Sequence, residues 1–145
     1  MSPDPFNLNR FICAQEPVIA EVLNELRAGQ KASHWMWFVF PQIRGLGSSS
    51  LAQRYAIASR QEARAYHEHT VLGARLQQCT QLVLNIEDRR AEQIFGYPDD
   101  VKFRSCLTLF AQAAPEQSIY RAALQKYFAG KPDPRSLEIL ALSGC

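Results

Sequence analysis

The segment from Lys31 to Gln42 places large flat side chains beside polar groups at close spacing. Its candidate ligand-binding residues are Lys31, His34, Trp35, Trp37 and Gln42. Aromatic faces suit stacking on a small ring-bearing ligand, and imidazole or amide groups suit hydrogen bonds to the edge of that ring. The same mixture also suits a hydrophobic core in which indole N–H and imidazole groups satisfy buried carbonyls. Both interpretations stay open at this stage.

A second feature is the glycine- and serine-rich turn 45–50, which leads directly into the helical stretch 51–57. Its candidate residues are Ser48, Ser49 and Ser50. Glycines followed by hydroxyl residues at a helix start present N–H and O–H donors, and such donors bind anions. A turn of this kind is also an ordinary helix cap. The turn lacks the Gly-Lys-Ser/Thr ending of a P-loop, so nucleoside triphosphate binding is not implied.

The third feature is a helix predicted to begin with Asp99 as its N-cap. Lys102 then falls in the first helical turn, and Ser105 follows one turn later. A cation at this end opposes the helix dipole at a cost of roughly several tenths of a kcal/mol. We therefore expect an anionic partner for Lys102. That partner is Asp99 or Asp100 in one interpretation, and a phosphate or carboxylate of a ligand in the other.

Catalysis would require further groups. His34 with Asp99 or Cys106 would supply an acid–base pair or a nucleophile, but the sequence carries no local triad signature. His67 and His69 lie two positions apart and would point in nearly opposite directions on a helix, so no metal site is expected. No cofactor is expected either. These residues do not decide between an enzyme and a binding protein.

Length and composition predict one domain over residues 1–145, with a core over about 5–140. Of the 145 residues, 47% are hydrophobic and 21% are charged, which is ordinary for a globular protein and excludes disorder. The net charge of +2 and the absence of a basic run argue against nucleic-acid binding. The longest apolar run, residues 35–40, is far shorter than the ~20 residues of a membrane span.

The N-terminus has neither the basic nor the apolar region of a signal peptide, so we expect a cytoplasmic protein. Its four cysteines are Cys13, Cys79, Cys106 and Cys145. They form no CxxC pair, and a disulfide framework is not expected in a cytosolic chain of this size. The first three lie in segments with apolar periodicity and are predicted to be small buried residues.

The pattern of prolines, glycines and capping residues predicts an all-α fold of about eight short helices. One helix follows Pro17 and ends before Gly29, and Ser59 with Glu62 has the spacing of a capping box. Further helix starts are predicted at Asp88, Asp99, Pro115 and Asp133, and apolar residues at helical spacing also run from 71 to 83. Residues 34–40 have a strand-like composition, but no other strand is available to pair with them. A short buried helix that ends before Pro41 is favoured.

Several of these segments together resemble one family. They are residues 31–42, 45–50 with 55–57, 71–76, and 94–96 through 102–105 to 108–110. In these segments the chain is similar to the bacterial DUF1810 proteins, over roughly residues 5 to 140. The chain departs from the expected pattern at His67 and Thr70. The resemblance implies a small, single-domain, all-helical protein and implies no particular reaction.

Two functional hypotheses follow. The first is a protein that binds, or acts on, a small anionic ligand of nucleotide or ADP-ribose type, held between the three features above. A weaker likeness to the NADAR group of ADP-ribose-handling domains favours that ligand class. The second is a structural or protein-interaction domain without enzymatic activity, present as a homodimer.

Overall fold

The computed structural model describes residues 3–142. This part of the chain is all-α and forms a compact bundle, as predicted. Its ten helices are α1 (Asn9–Gln15), α2 (Ile19–Ala28), α3 (Met36–Val39), α4 (Ser50–Arg54), α5 (Arg60–Glu68), α6 (Leu72–Leu84), α7 (Ala91–Phe95), α8 (Asp99–Ala113), α9 (Ile119–Phe128) and α10 (Pro134–Leu142). No helix among these residues is long and apolar enough to cross a membrane.

Helix α8 is the centre of the bundle, and it packs against α5, α7, α9 and α10. Phe103 and every residue from Ser105 to Phe110 are buried, including the polar Ser105 and Thr108. The Phe103 ring packs on the rings of Phe40 and Phe95, and the Phe110 ring packs on those of Tyr66 and Tyr120. The middle of α8 is therefore enclosed, and its first turn reaches the surface.

Several predicted helix ends are confirmed. Helix α2 ends at Gly29, which has the left-handed φ of +80° that closes many helices. The Ser59 hydroxyl accepts a hydrogen bond from the Glu62 N–H, as in a capping box, although the Glu62 carboxylate accepts from Ala58 N–H instead of returning to Ser59. The Asp133 carboxylate caps α10 by accepting from the Ser136 N–H.

At other helix ends the structure differs from the prediction or adds to it. Helix α1 was not anticipated, because its apolar positions are few. Helices α5 and α6 are separate because His69 is extended and its ring nitrogen accepts the N–H groups of Val71 and Leu72. Asp88 is not a cap; Arg90 precedes α7. Pro98 occupies the cap position of α8, and Asp99 is its first helical residue.

Residues 36–39 form the short buried helix α3, as favoured over a strand. The chain after Pro41 is then fixed by an isolated parallel bridge between Ile43 and Ile57. Ile57 N–H donates to the Gln42 carbonyl at 2.8 Å, and Arg44 N–H donates to the Ile57 carbonyl at 2.7 Å. This pairing brings the 45–50 turn and α4 to the same side of the molecule as the start of α8.

The cysteines differ in their surroundings. Cys79 and Cys106 are buried, as predicted, whereas Cys13 is exposed because it lies on the outer face of the short helix α1. All three are free thiols. Cys145 lies outside the described residues.

Candidate functional site

An open cleft of about 470 Å³ lies where the first turn of α8 meets the 45–50 turn and the start of α10. We call it the Lys102 cleft. It is lined by Trp37, Gln42, Leu46, Gly47, Ser48, Ser49, Ala52, Tyr97, Pro98, Val101, Lys102, Ser105, Asp133 and Arg135. The aromatic block, the glycine-serine turn and the α8 start all contribute to it, so the three features found in the sequence do meet.

A second opening of about 350 Å³ adjoins the first. We call it the His34 groove. It is lined by Lys31, Ala32, Ser33, His34, Met36, Trp37, Phe95, Tyr97, Pro98 and Asp99. Trp37, Tyr97 and Pro98 line both openings and form the ridge between them. The predicted residues Lys31, His34 and Asp99 therefore lie across this ridge from Lys102.

Asp99 lies between two lysines. Its Oδ2 is 2.8 Å from the Lys31 ammonium, and its Oδ1 is 3.5 Å from the Lys102 ammonium. The Lys31 side chain is only 7% exposed and also donates to the Ser33 carbonyl at 2.5 Å. The Lys102 side chain is 24% exposed, and its ammonium lies 5.0 Å from the centre of the Trp37 ring. Asp99 is thus the anionic partner expected for Lys102, and the three groups together carry a net charge of +1.

The start of α10 adds charge to the same cleft. The Asp133 carboxylate is directed at Ser136, from whose N–H and hydroxyl it accepts hydrogen bonds of 2.9 and 2.5 Å. The Arg135 side chain is 59% exposed and makes a 3.3 Å ion pair with Glu138, which is equally exposed. An ion pair this exposed is weak, so the Arg135 guanidinium is available at the rim.

The polar side chains of the cleft differ in what already binds them. The Ser49 hydroxyl caps α4 through the Ala52 N–H, and the buried Ser105 hydroxyl donates to the Val101 carbonyl. Within residues 3–142, the Gln42 amide and the Ser48 hydroxyl have no hydrogen-bond partner. Gln42 and Ser48 therefore present free polar groups in this lining. Ser50, the first residue of α4, lines neither opening.

Trp35 was a candidate ligand contact but belongs to the core. It is 1% exposed, and its ring packs beside Phe40. Its indole N–H donates to the Glu25 carboxylate at 2.9 Å. For this residue the core interpretation therefore holds, and Trp37 is the tryptophan that faces the openings.

The loop that carries His34 is held by Glu25. The Glu25 carboxylate accepts hydrogen bonds from the N–H groups of Ala32 and Ser33, from the Ser33 hydroxyl and from the Trp35 indole. Burial raises the pKa of Glu25, but these four donors outweigh it and leave the pKa below its usual value. The His34 ring itself is exposed and has no hydrogen-bond partner within residues 3–142.

The comparisons with known proteins agree with this fold. The family model for DUF1810, a protein of unknown function, matches residues 5–140. The chain belongs to the DUF1810 family. It is also similar to the conserved hypothetical protein Rv1873 from Mycobacterium tuberculosis, whose crystal structure superposes with a TM-score of 0.94. The two sequences are 54% identical, over 95% of this chain and 99% of that one. No match was found among curated proteins.

Sequence reasoning missed part of the lining of this DUF1810 protein. Tyr97 is 77% exposed, and Val101 follows it one turn later on α8. Neither residue was predicted to contact a ligand, because the signal in this stretch was its charge. A tyrosine immediately before the proline of a helix start could have indicated an exposed aromatic contact. Arg135 was missed because α10 comes to the cleft only through tertiary packing.

Cys106 does not pair with His34 at either opening of this DUF1810 protein. It lines neither of them, and burial raises the pKa of its thiol well above the ordinary value, so it is a poor nucleophile. Among residues 3–142 no cluster of three or more His, Cys, Asp or Glu side chains is arranged to hold a metal ion.

Proposed function

We propose that this DUF1810 protein binds a small anionic ligand that carries an aromatic ring, of nucleotide or ADP-ribose type, in the Lys102 cleft. The observation that carries the proposal is the position of the Lys102 ammonium. It lies at the cleft wall, 5.0 Å from the Trp37 ring, and it shares its only carboxylate partner within residues 3–142 with Lys31. A cation and a flat ring are thus presented together to a single ligand.

Electrostatics favour an anion at this place. The Lys31–Asp99–Lys102 group has a net charge of +1. Arg135 adds a positive charge at the rim and the Asp133 carboxylate adds a negative one, so the five groups together carry a net charge of +1. Lys102 is partly buried beside an indole, so a new ion pair with it is less screened by water than one on the open surface. A phosphate or carboxylate would therefore gain more binding free energy from an ion pair with Lys102 than from one with a fully exposed lysine.

The remaining lining suits a ring with polar edges. Trp37 and the exposed Tyr97 provide aromatic faces, and the free Gln42 amide offers one acceptor and two donors. A volume of about 470 Å³ lies within the range of roughly 300–1,000 Å³ that is usual for small-molecule sites. We propose binding and assign no reaction, because no activated nucleophile or acid–base pair lines the cleft.

Calorimetric titration with AMP, ADP and ADP-ribose tests this proposal. We expect at least one of them to bind, and Lys102→Ala to weaken its affinity by about tenfold to 150-fold, because a lost charge-assisted hydrogen bond is worth about 1.5–3 kcal/mol. Arg27→Ala is the matched control: it removes the same charge from the C-terminal end of α2, away from the cleft. Absence of binding across the panel, or equal losses in the two variants, would reject the proposal.

A second candidate function is a protein-interaction domain that forms a homodimer. The exposed apolar pair Tyr97 and Val101 favours it, because exposed large hydrophobic side chains close together often mark interfaces. In that case light scattering would show a mass that rises with concentration, and Tyr97→Ser would return it to that of a monomer. A constant monomer mass would reject this candidate.

We also propose the cytoplasm as the compartment. Cys13, Cys79 and Cys106 are free thiols, and unpaired cysteines are usual in a reducing environment. Localisation of a tagged full-length chain would test this.

A further inference from the structure

The His34 groove differs from the Lys102 cleft in its charge. Lys31 and Asp99 form a 2.8 Å ion pair at its edge, and Lys31 is almost completely buried within that pair. The Asp99 carboxylate is the more exposed partner, at 20%. A second anion entering this groove would meet that carboxylate and no free ammonium. Neutral groups with hydroxyls would instead find an acceptor in Asp99 and a hydrogen-bonding ring in His34.

The groove is also rigid around His34. The Glu25 carboxylate holds residues 32, 33 and 35, and the Lys31 N–H donates to the Ile94 carbonyl at 2.7 Å. Both neighbours of His34 are therefore held by hydrogen bonds, whereas the His34 ring itself makes no hydrogen bond within residues 3–142. A ring presented by a fixed loop contacts a ligand without the entropic cost of ordering that loop.

The two openings share part of their lining. Trp37, Tyr97 and Pro98 line both, so a ligand in the Lys102 cleft can extend over aromatic side chains into the His34 groove. The groove adds about 350 Å³ to the space available.

We propose that the His34 groove is a second subsite, which holds a neutral, hydroxyl-rich group such as a sugar, joined through phosphate to the ring bound in the Lys102 cleft. The ligand class is then a nucleoside diphosphate sugar and not a free nucleotide. This inference rests on the proposed function, because the phosphate must first be held by Lys102.

Calorimetric titrations with matched ligands test the second subsite. The probes are ADP with ADP-glucose, and UDP with UDP-glucose and UDP-glucuronate. For the base that binds, we expect the glucose derivative to bind about tenfold tighter than the diphosphate alone. In the uracil series UDP-glucuronate should not show this gain in affinity over UDP, because the Asp99 carboxylate would repel the carboxylate of the sugar. His34→Ala should remove the gain from glucose and leave the affinity for the diphosphate unchanged.

The variants separate the two proposals. His34→Ala is expected to fold, because the side chain is exposed and makes no hydrogen bond within residues 3–142. Lys102→Ala should weaken diphosphate and diphosphate sugar by the same factor. Equal affinities for diphosphate and diphosphate sugar would overturn the second subsite, and so would a gain in affinity from the sugar that persists in His34→Ala. Neither result would contradict anion binding in the Lys102 cleft. If no probe binds, both proposals fail.

Discussion

At the scale of single residues, the Glu25 carboxylate supports the candidate site without lining it. One oxygen accepts from Ala32 N–H, Ser33 N–H and the Trp35 indole, and the other accepts from the Ser33 hydroxyl. Charged acceptors form stronger hydrogen bonds than neutral ones. The shape of the loop around His34 therefore depends on Glu25 remaining ionised.

We expect Glu25→Gln to lower the free energy of unfolding by about 1–2 kcal/mol near neutral pH, since it keeps the shape and removes the charge. The folded-state pKa of Glu25 is lowered, so its stabilising effect is complete above the ordinary glutamate pKa of 4.5 and is lost as the pH falls through the folded-state pKa. Urea unfolding of both proteins over this acidic range would measure the difference. A difference that stays constant in acid would contradict this account.

At the scale of elements, the junction between α5 and α6 allows no side chain at Gly73. A Cβ atom there would lie 2.0 Å from the His67 carbonyl oxygen, and backbone atoms cannot move aside as the end of a long side chain can. Because Gly73 has no side chain, α6 can begin directly against the end of α5 after the chain turns at residues 69–71.

We expect Gly73→Ala to destabilise the protein by about 3 kcal/mol or more, because the two helices must separate to admit the methyl group. Gly29→Ala is the control, since a Cβ there meets only side-chain atoms at 3.6 Å and the cost is the left-handed φ alone, about 1–2 kcal/mol. Thermal unfolding followed by circular dichroism would rank the two variants. Equal losses would show that crowding at α5–α6 is not the cause.

At the scale of the whole molecule, the cysteines report on cooperative unfolding. Cys13 is exposed on α1, whereas Cys79 on α6 and Cys106 on α8 are buried in one continuous core. Burial raises the pKa of Cys79 to about 12 and that of Cys106 well above its ordinary value. Since the thiolate is the reactive form, neither thiol should react while the core is closed.

In a Cys145→Ser variant, which leaves these three cysteines, we expect one thiol to react rapidly with a disulfide reagent under native conditions. The other two thiols should react together and slowly, at a rate limited by global unfolding of the protein. Rapid reaction of Cys79 with slow reaction of Cys106 would show instead that α6 opens independently of α8. Mass spectrometry of the labelled peptides would identify each site.

Local signals in the sequence determined most of the helices of this protein. Gly29 and the Ser59 hydroxyl mark helix ends by conformational and hydrogen-bonding properties that each residue has on its own. The apolar periodicity of α8 likewise identified the buried face of the central helix. Signals of this kind act over one or two turns, so they can be read without knowing the fold.

The candidate site was foreseen in its parts and not in its arrangement. The sequence predicted Trp37, Ser48 and Lys102 as candidate ligand contacts, and it predicted an anionic partner for Lys102. It gave no means to separate Trp35 from Trp37, because both are tryptophans in one apolar run. Packing separated them: α3 turns Trp35 towards Glu25 and the core, and Trp37 towards Lys102.

Tertiary structure alone decided which charges meet. Asp99 lies between Lys31 and Lys102 only because the loop after α2 is tied to Ile94 and reaches the start of α8. Arg135 reaches the same cleft from the last helix, 33 positions after Lys102 in the sequence. Helix formation depends on neighbours along the chain, whereas the charge of a cleft depends on residues that only folding brings together. The sequence therefore determined the family and most of the helices, and the fold determined which charged groups meet at the candidate site.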